Sequence, residues 1–599
     1  MSGELKAIFA ALPATTRGQP MIISGKEDKK TILYTHGTSV FIRNIEDPAI
    51  CDVYTEHTQP TTVAKYSPSG FYIASADVTG KVRIWDTVNA DHILKNEFQP
   101  FSGIVKDLDW SADSQRIVVG GQGREKFAHP INAETGTSVG EMLGHSKQVN
   151  AVSFKPSRPF RIATASEDQS ICFYHGPPFK LNMQIEDHKN FVNALKYSID
   201  GSKFLSGGAD GRAYLYDGKT GERQSELGSP AHKGGIYGVA FNSSGQEALT
   251  VSGDKSAKIW NVESGEMLCE FNLGTVVSDM QVGCLWQGDI ILTVSLSGNI
   301  NYLDRNNPSS PSRVIRGHSK RIDAAVASAD VIYSGDAEGK ICAWDANTGV
   351  AAEIAGSGHT AQVQSLSLTG DTLTSCSIDD TVRTIDTSSL SYSDVNVKMS
   401  SQPQGVAAST DGLIVVACLD EVVIIQNGQV LFKECVKYEP SCVAIHPNNA
   451  EVAVGGQKDS TVHLYSLSNG TLQETQLLSQ TGAITCLGYS PDGAYLAAGD
   501  ANRKLELYSC PDYQSIVKGN WTAHTAKILS LSWSPNSQYI ATGSLDTSVI
   551  IWNVEEASKK IKLDRAHKMS ATSAVCWRSD NELVSAGHDS TVKLWNISH

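Results

Sequence analysis

Four segments of this chain end alike: KVRIWDT at Trp85, SAKIWNV at Trp260, SVIIWNV at Trp552 and TVKLWNI at Trp595. Each is an alternating run closed by Trp and then Asp or Asn, and each follows a turn of the form Ser/Gly-x-Asp. A histidine stands 28 residues before each Trp, at His57, His232, His524 and His567. The frame recurs with substitutions, His145 leading to Tyr174, His188 to Tyr216, His318 to Trp344 and His359 to Ile385. Copies without the histidine end near Arg43, Ala133, Tyr302, Ile425, Tyr465 and Tyr508. Fourteen units in 599 residues give a mean period of about 43.

That period is the length of a four-stranded propeller blade. Apolar alternation between Gly, Asp, Asn and Ser turns predicts strands throughout, and no helical periodicity runs beyond two turns. Fourteen blades exceed what one ring holds. The expected fold class is therefore all-β: two seven-bladed β-propellers in tandem, over residues 14–315 and 316–599. The division falls beside the Pro- and Ser-rich stretch NNPSSPSRVIRGH (306–318). The Trp-Asp strand is the third of its blade, and the sequence stops at His599, four residues after Trp595. Blade fourteen thus lacks an outer strand of its own. The spare strand-like segment LKAIFAALP (5–13) is expected to supply it, so that residues 1–13 complete the second ring; the alternative is that this segment closes the first ring.

Composition narrows the function. A formal net charge of -14 argues against a general nucleic-acid or membrane-surface binder. No run of about 18 apolar residues suggests a membrane span, and the start MSGELKAIFAALPATTRGQP makes a poor signal peptide. Twelve scattered Cys with no C-x-x-C fit reduced cytosolic thiols, not a disulfide frame or a zinc site. There is no phosphate loop and no H-E-x-x-H, so neither cofactor nor metal is expected. GGQGREK (120–126) has the wrong glycine spacing for a phosphate loop.

The His, Asp and Ser sets resemble hydrolase triads, as in His232, Ser252, Asp254 and Trp260. An active site would not be copied blade after blade, so these are expected to be folding groups: His to turn Asp, with the second-strand Ser and the Trp N–H completing a buried network. His524, Asp546 and Trp552, and His567, Asp589 and Trp595, take the same places. Asp77, Asp210, Asp336 and Asp379 belong with them.

Several stretches go beyond the repeat. GREKFAHPINAETGTSVG (123–140), FKPSRPFRIATASEDQSICFYHGPPFKLNMQIEDHKNFV (154–192), KMSSQPQGVA (398–407), SCVAIHPNNAEVAVGGQKDSTVHLY (441–465), WTAHTAKILSLSWSPNSQYIATGSLDTSVIIWN (521–553) and AHKMSATSAVCW (566–577) closely resemble the actin-interacting protein 1 family of WD-repeat proteins. The resemblance spans essentially the whole chain. It implies a non-enzymatic, cytoplasmic protein of the cortical actin cytoskeleton. Such a protein would work with ADF/cofilin to disassemble actin filaments, by severing and barbed-end capping of cofilin-decorated filaments; a monomer is expected independently of the resemblance. The runner-up is a generic WD-repeat scaffold for another cytosolic complex. The family's functional surface maps to Glu125 in GREKF, Glu167 in SEDQS, Lys180 in GPPFK and Phe191 in HKNFV. Family members often carry an aromatic after the Lys, where this chain has Leu181. Phe179 is expected to be held out by Pro177 and Pro178 as an exposed anchor for actin or cofilin.

Overall fold

The structure is a computed structural model that describes residues 2–516, 521–556 and 558–598. Among the described residues the chain forms fourteen antiparallel sheets, twelve of four strands and two of three, with only two short 3-10 turns of helix. Blade six shows how the sequence builds a unit. Its strands are Ile236–Phe241, Glu247–Ser252, Ser256–Asn261 and Met267–Asn272. The second strand is buried from Ala248 to Ser252 because neighbouring blades cover both its faces, so it reads as small and apolar without alternation. The fourth strand faces outward and is mostly exposed. The first strand carries a bulge between Ile236 and Gly238, and a bulge at the same place recurs in every other blade but the first, bending the channel-lining strand.

The chain divides into two compact units, Leu12–Ser319 and Met1–Ala11 with Lys320–His599. The divisions fall a few residues from the 13/14 and 315/316 boundaries read from the repeat frame. Seven sheets lie in each unit, so the protein is a tandem of seven-bladed propellers. In the first unit the last blade meets the first through Met21 N–H donating to Val282 O at 2.7 Å and Tyr302 Oη donating to Ile45 O at 2.7 Å. In the second unit Ser2–Phe9 pairs with Val592–Ser598 as the outermost strand of the last sheet, Phe9 opposite Val592 and Leu5 opposite Trp595. Phe9 is 4% exposed and packs with Ile322, Ile332 and Trp344 of blade eight.

Among the described residues, blades three and twelve have three strands each. There the described residues after the third strand pair with it through single bridges, Ile131 to Ser138 and Tyr508 to Ser515. In blade three the following residues are drawn to the next blade instead: Phe179 N–H donates to Val139 O at 2.9 Å and Glu141 N–H to Phe179 O at 3.1 Å.

Candidate functional site

The repeated polar groups are buried and mutually satisfied. In blade six His232 Nδ1 lies 3.1 Å from Asp254 Oδ2, and His232 Nε2 lies 2.7 Å from Thr250 Oγ1. Trp260 Nε1 donates to the same Thr250 Oγ1 at 2.8 Å. The second-strand residue that joins His to Trp is therefore Thr250, not Ser252. Side chains alternate along a strand, but Ser252 sits at its end, where its Oγ accepts the Asp254 N–H at 3.1 Å and shapes the turn. Thr542 joins His524 to Trp552, and Ser585 joins His567 to Trp595, in the same way. Asp546 and Asp589 hold their histidines at 3.0 and 2.9 Å. Burial would raise the Asp254 carboxyl, but hydrogen bonds from His232 and Ser256 more than offset it and hold it well below the ordinary carboxylate range. The same opposition sets Asp77 at about 2. His145 rises to about 9: burial opposes the charge, and the bond to Asp168 outweighs it.

A charged cluster that the sequence did not single out lies on the inner strands of the first ring. Buried Lys65 Nζ is 2.7 Å from Asp107 Oδ1 and 4.0 Å from Asp109 Oδ1. The second oxygens are taken by backbone, Asp107 by Val152 N–H at 3.0 Å and Asp109 by Phe154 N–H at 2.9 Å. These bonds tie blades two, three and four together.

The surface candidates fall in blades three to five. Strands alternate in direction, so the turns from second to third strands and the loops entering first strands share one end of every blade. Glu125, in the turn between Arg116–Gly121 and Ala128–Asn132, is exposed there. Glu167 follows Arg161–Ser166 and is half-buried, with Gln148 Nε2 donating to its Oε1 at 3.2 Å. Phe191 enters Val192–Tyr197 and is 39% exposed, with Lys147 Nζ 5.9 Å from its ring centroid. One ring face thus carries all three, on successive blades.

Two candidates lie elsewhere. Lys180 is exposed but pairs with His175, whereas Ile171 beside the Asp168 turn pairs with Ile185, so Lys180 stands at the other end of its strand. It borders a groove on the rim between blades three and four, with Glu141, Pro178, Leu143 and Leu181. The two leucines there are 51% and 40% exposed. Phe179 is 0% exposed, edge-on to Phe154 at 5.5 Å, within a core that includes Ile162 and Tyr174. The expectation of a presented Phe179 is corrected: the backbone bonds to Val139 and Glu141 pull the GPPFK loop against blade three and turn the ring inward.

The description WD domain, G-beta repeat matches residues 50–86, 136–175, 179–217, 223–261, 472–509, 516–553 and 558–596. Most of these spans open on the outer strand of one blade and close on the third strand of the next, the offset that leaves the last blade needing a strand from the N-terminus. Over the full length, the chain is 47% identical to Actin-interacting protein 1 of Drosophila melanogaster, covering 100% of this chain and 98% of that protein. The chain belongs to the actin-interacting protein 1 family. It is also 46% identical to WD repeat-containing protein 1 of Xenopus tropicalis over 607 residues and 45% identical to that of Gallus gallus over 609, each match covering 100% of both chains.

In this member of the actin-interacting protein 1 family, four residues that sequence reasoning missed hold the candidate surface in place. Gln148 Nε2 also donates to Asn150 Oδ1 at 3.0 Å, and Asn150 Nδ2 donates to Val192 O at 3.3 Å. A hydrogen-bond chain therefore runs from the Glu167 carboxylate to the backbone beside Phe191. Lys147 covers the Phe191 ring, and Lys106, pushed down by burial, feels the opposing pull of Glu167. The signal lay in HSKQVNAV (145–152), where Gln148 and Asn150 alternate into the first strand.

Proposed function

We propose that this protein is a non-enzymatic actin-binding factor that acts with ADF/cofilin to promote filament disassembly. It would sever cofilin-decorated filaments, cap the new barbed ends, and work as a monomer in the cytoplasm at cortical actin. The observation that carries this reading is the placement of Glu125, Glu167 and Phe191 on one face of three successive blades, in a chain aligned end to end with a relative named for actin interaction. An exposed aromatic sharing a face with two carboxylates can anchor a binding surface. The mechanism is differential affinity: a surface that prefers the cofilin-distorted filament shifts the equilibrium toward fragments and monomers. Lys180 then acts from the rim, with Leu143 and Leu181 giving the apolar contact there.

The same reading takes the two compact units as the two functional domains. Filament pelleting tests it. With cofilin present, the protein should join the filaments and move actin to the supernatant. Failure to do either removes the assignment.

A further inference from the structure

The channel mouth of the second ring lies outside the reading above and has two unlike arcs. On one arc blades eight, thirteen and fourteen bring Arg321, Lys527 and His588 to the wall. Among the described residues, Asp323 is the one carboxylate in this lining. It is engaged internally, Oδ2 lying 3.4 Å from Arg321 Nε and Oδ1 3.4 Å from His588 Nε2. Lys527 is exposed at the same rim. With Asp323 offsetting Arg321, Lys527 leaves the arc one net positive charge, although the whole chain is strongly acidic.

The other arc is built of carboxamides. AQVQSL and SQPQGV open the first strands of blades nine and ten with glutamines at alternate positions. Gln362 Nε2 donates to Gln364 Oε1 at 3.3 Å, and Gln404 Nε2 to Gln402 Oε1 at 3.3 Å. Gln457 extends the arc into blade eleven. Arg321 Nη2 donates to Gln362 Oε1 at 2.9 Å and joins the arcs. A carboxamide is a peptide group's counterpart, offering both a donor and an acceptor.

We propose that this mouth binds an extended acidic peptide segment. A carboxylate side chain seats on the cationic arc, and the flanking peptide groups pair with the glutamines. A bare anion would use only the first arc and leave the second idle. The proposal is independent of the first ring's surface, so either can fail without the other.

The test is fluorescence anisotropy on the full-length protein with a dye-labelled, end-capped peptide alternating Asp and Gly, beside the same peptide with Asn for Asp. Saturable binding of the Asp peptide is expected, weaker by about tenfold or more for the Asn peptide. Lys527→Glu should weaken it by a similar factor, Lys527→Gln by less, and Gln404→Leu by about threefold or more, all with unchanged melting. Lys196→Glu in the first ring should leave it unaltered. Absence of saturable binding, or full binding by folded Lys527→Glu and Lys527→Gln, overturns the proposal. So does ready displacement by inorganic phosphate together with full binding by Gln404→Leu, which would mark a simple anion site.

Discussion

The Phe9 ring lies over the Trp344 indole, with centroids 5.7 Å apart and planes 13° from parallel. This contact joins the first strand of the chain to the third strand of blade eight. Phe9→Ala should remove about 3–5 kcal/mol from the second ring, since a buried aromatic leaves a large cavity. Hydrogen exchange is the check: protection should fall in Val592–Ser598 and stay unchanged across Leu12–Ser319. Uniform loss in both units would contradict it.

Thr250 and Ser252 should separate cleanly. Thr250→Val leaves His232 Nε2 and Trp260 Nε1 facing a methyl group and should cost about 1–3 kcal/mol in urea unfolding. Ser252→Ala removes an acceptor at the turn and should cost less, about 1 kcal/mol. The reverse order would sink the assignment of Thr250 as the bridge.

Acid should weaken the rings through the turn aspartates. The Asp77 carboxyl titrates at about 2 in the fold, against an ordinary aspartate value of 3.8. A depressed carboxylate contributes stability above its unfolded pKa and loses it as pH falls through the folded one. About 2 kcal/mol from Asp77 should therefore be present above pH ~4 and vanish toward pH ~2. Denaturation curves of Asp77→Asn should show a smaller loss across that window than the parent.

The charge-reversed pair Glu125→Lys with Glu167→Lys should abolish cofilin-dependent pelleting at an unchanged melting temperature, and Phe191→Ala should weaken it by about 1–3 kcal/mol. Phe179→Ala should instead lower the melting temperature, as a core residue does. If Phe179→Ala melts like the parent and loses binding, the inward ring is not what the loop does.

Thr547 follows Asp546 at a φ of 72°, a left-handed position for a β-branched residue. In blade five the corresponding residue is Gly211, at φ 74°. Thr547→Gly should raise stability by about 1 kcal/mol, read from the midpoint of unfolding. A destabilised variant would mean that the threonine contacts outweigh the strain.

The ring count was readable because the 28-residue His-to-Trp spacing is a structural repeat, and tight packing between blades admits few departures from it. The surface was harder. Glu125 could be placed from its turn, but Phe179 could not be placed from its loop, because its burial is decided by hydrogen bonds to Val139 and Glu141 of another blade. The sequence marks GPPFK as rigid and does not mark which way it leans. Ser252 was misplaced for a local reason: Thr and Ser are chemically equivalent at the bridge, and only register distinguishes them. The Lys65, Asp107 and Asp109 cluster escaped because the lysine lies in a different repeat from the two aspartates.

The pairing of Ser2–Phe9 with Val592–Ser598 fixes the order of assembly. A ribosome makes Ser2–Phe9 before the residues of the first ring and Val592–Ser598 long after them. The first ring can shut once its own residues have emerged, while the second waits for two strands that flank the whole first ring in sequence to meet, with the early strand held out as a bare edge until then. Nascent or clipped chains that lack the last strand would expose that edge to other chains. The second ring can therefore close only after all of the first ring's residues have been made.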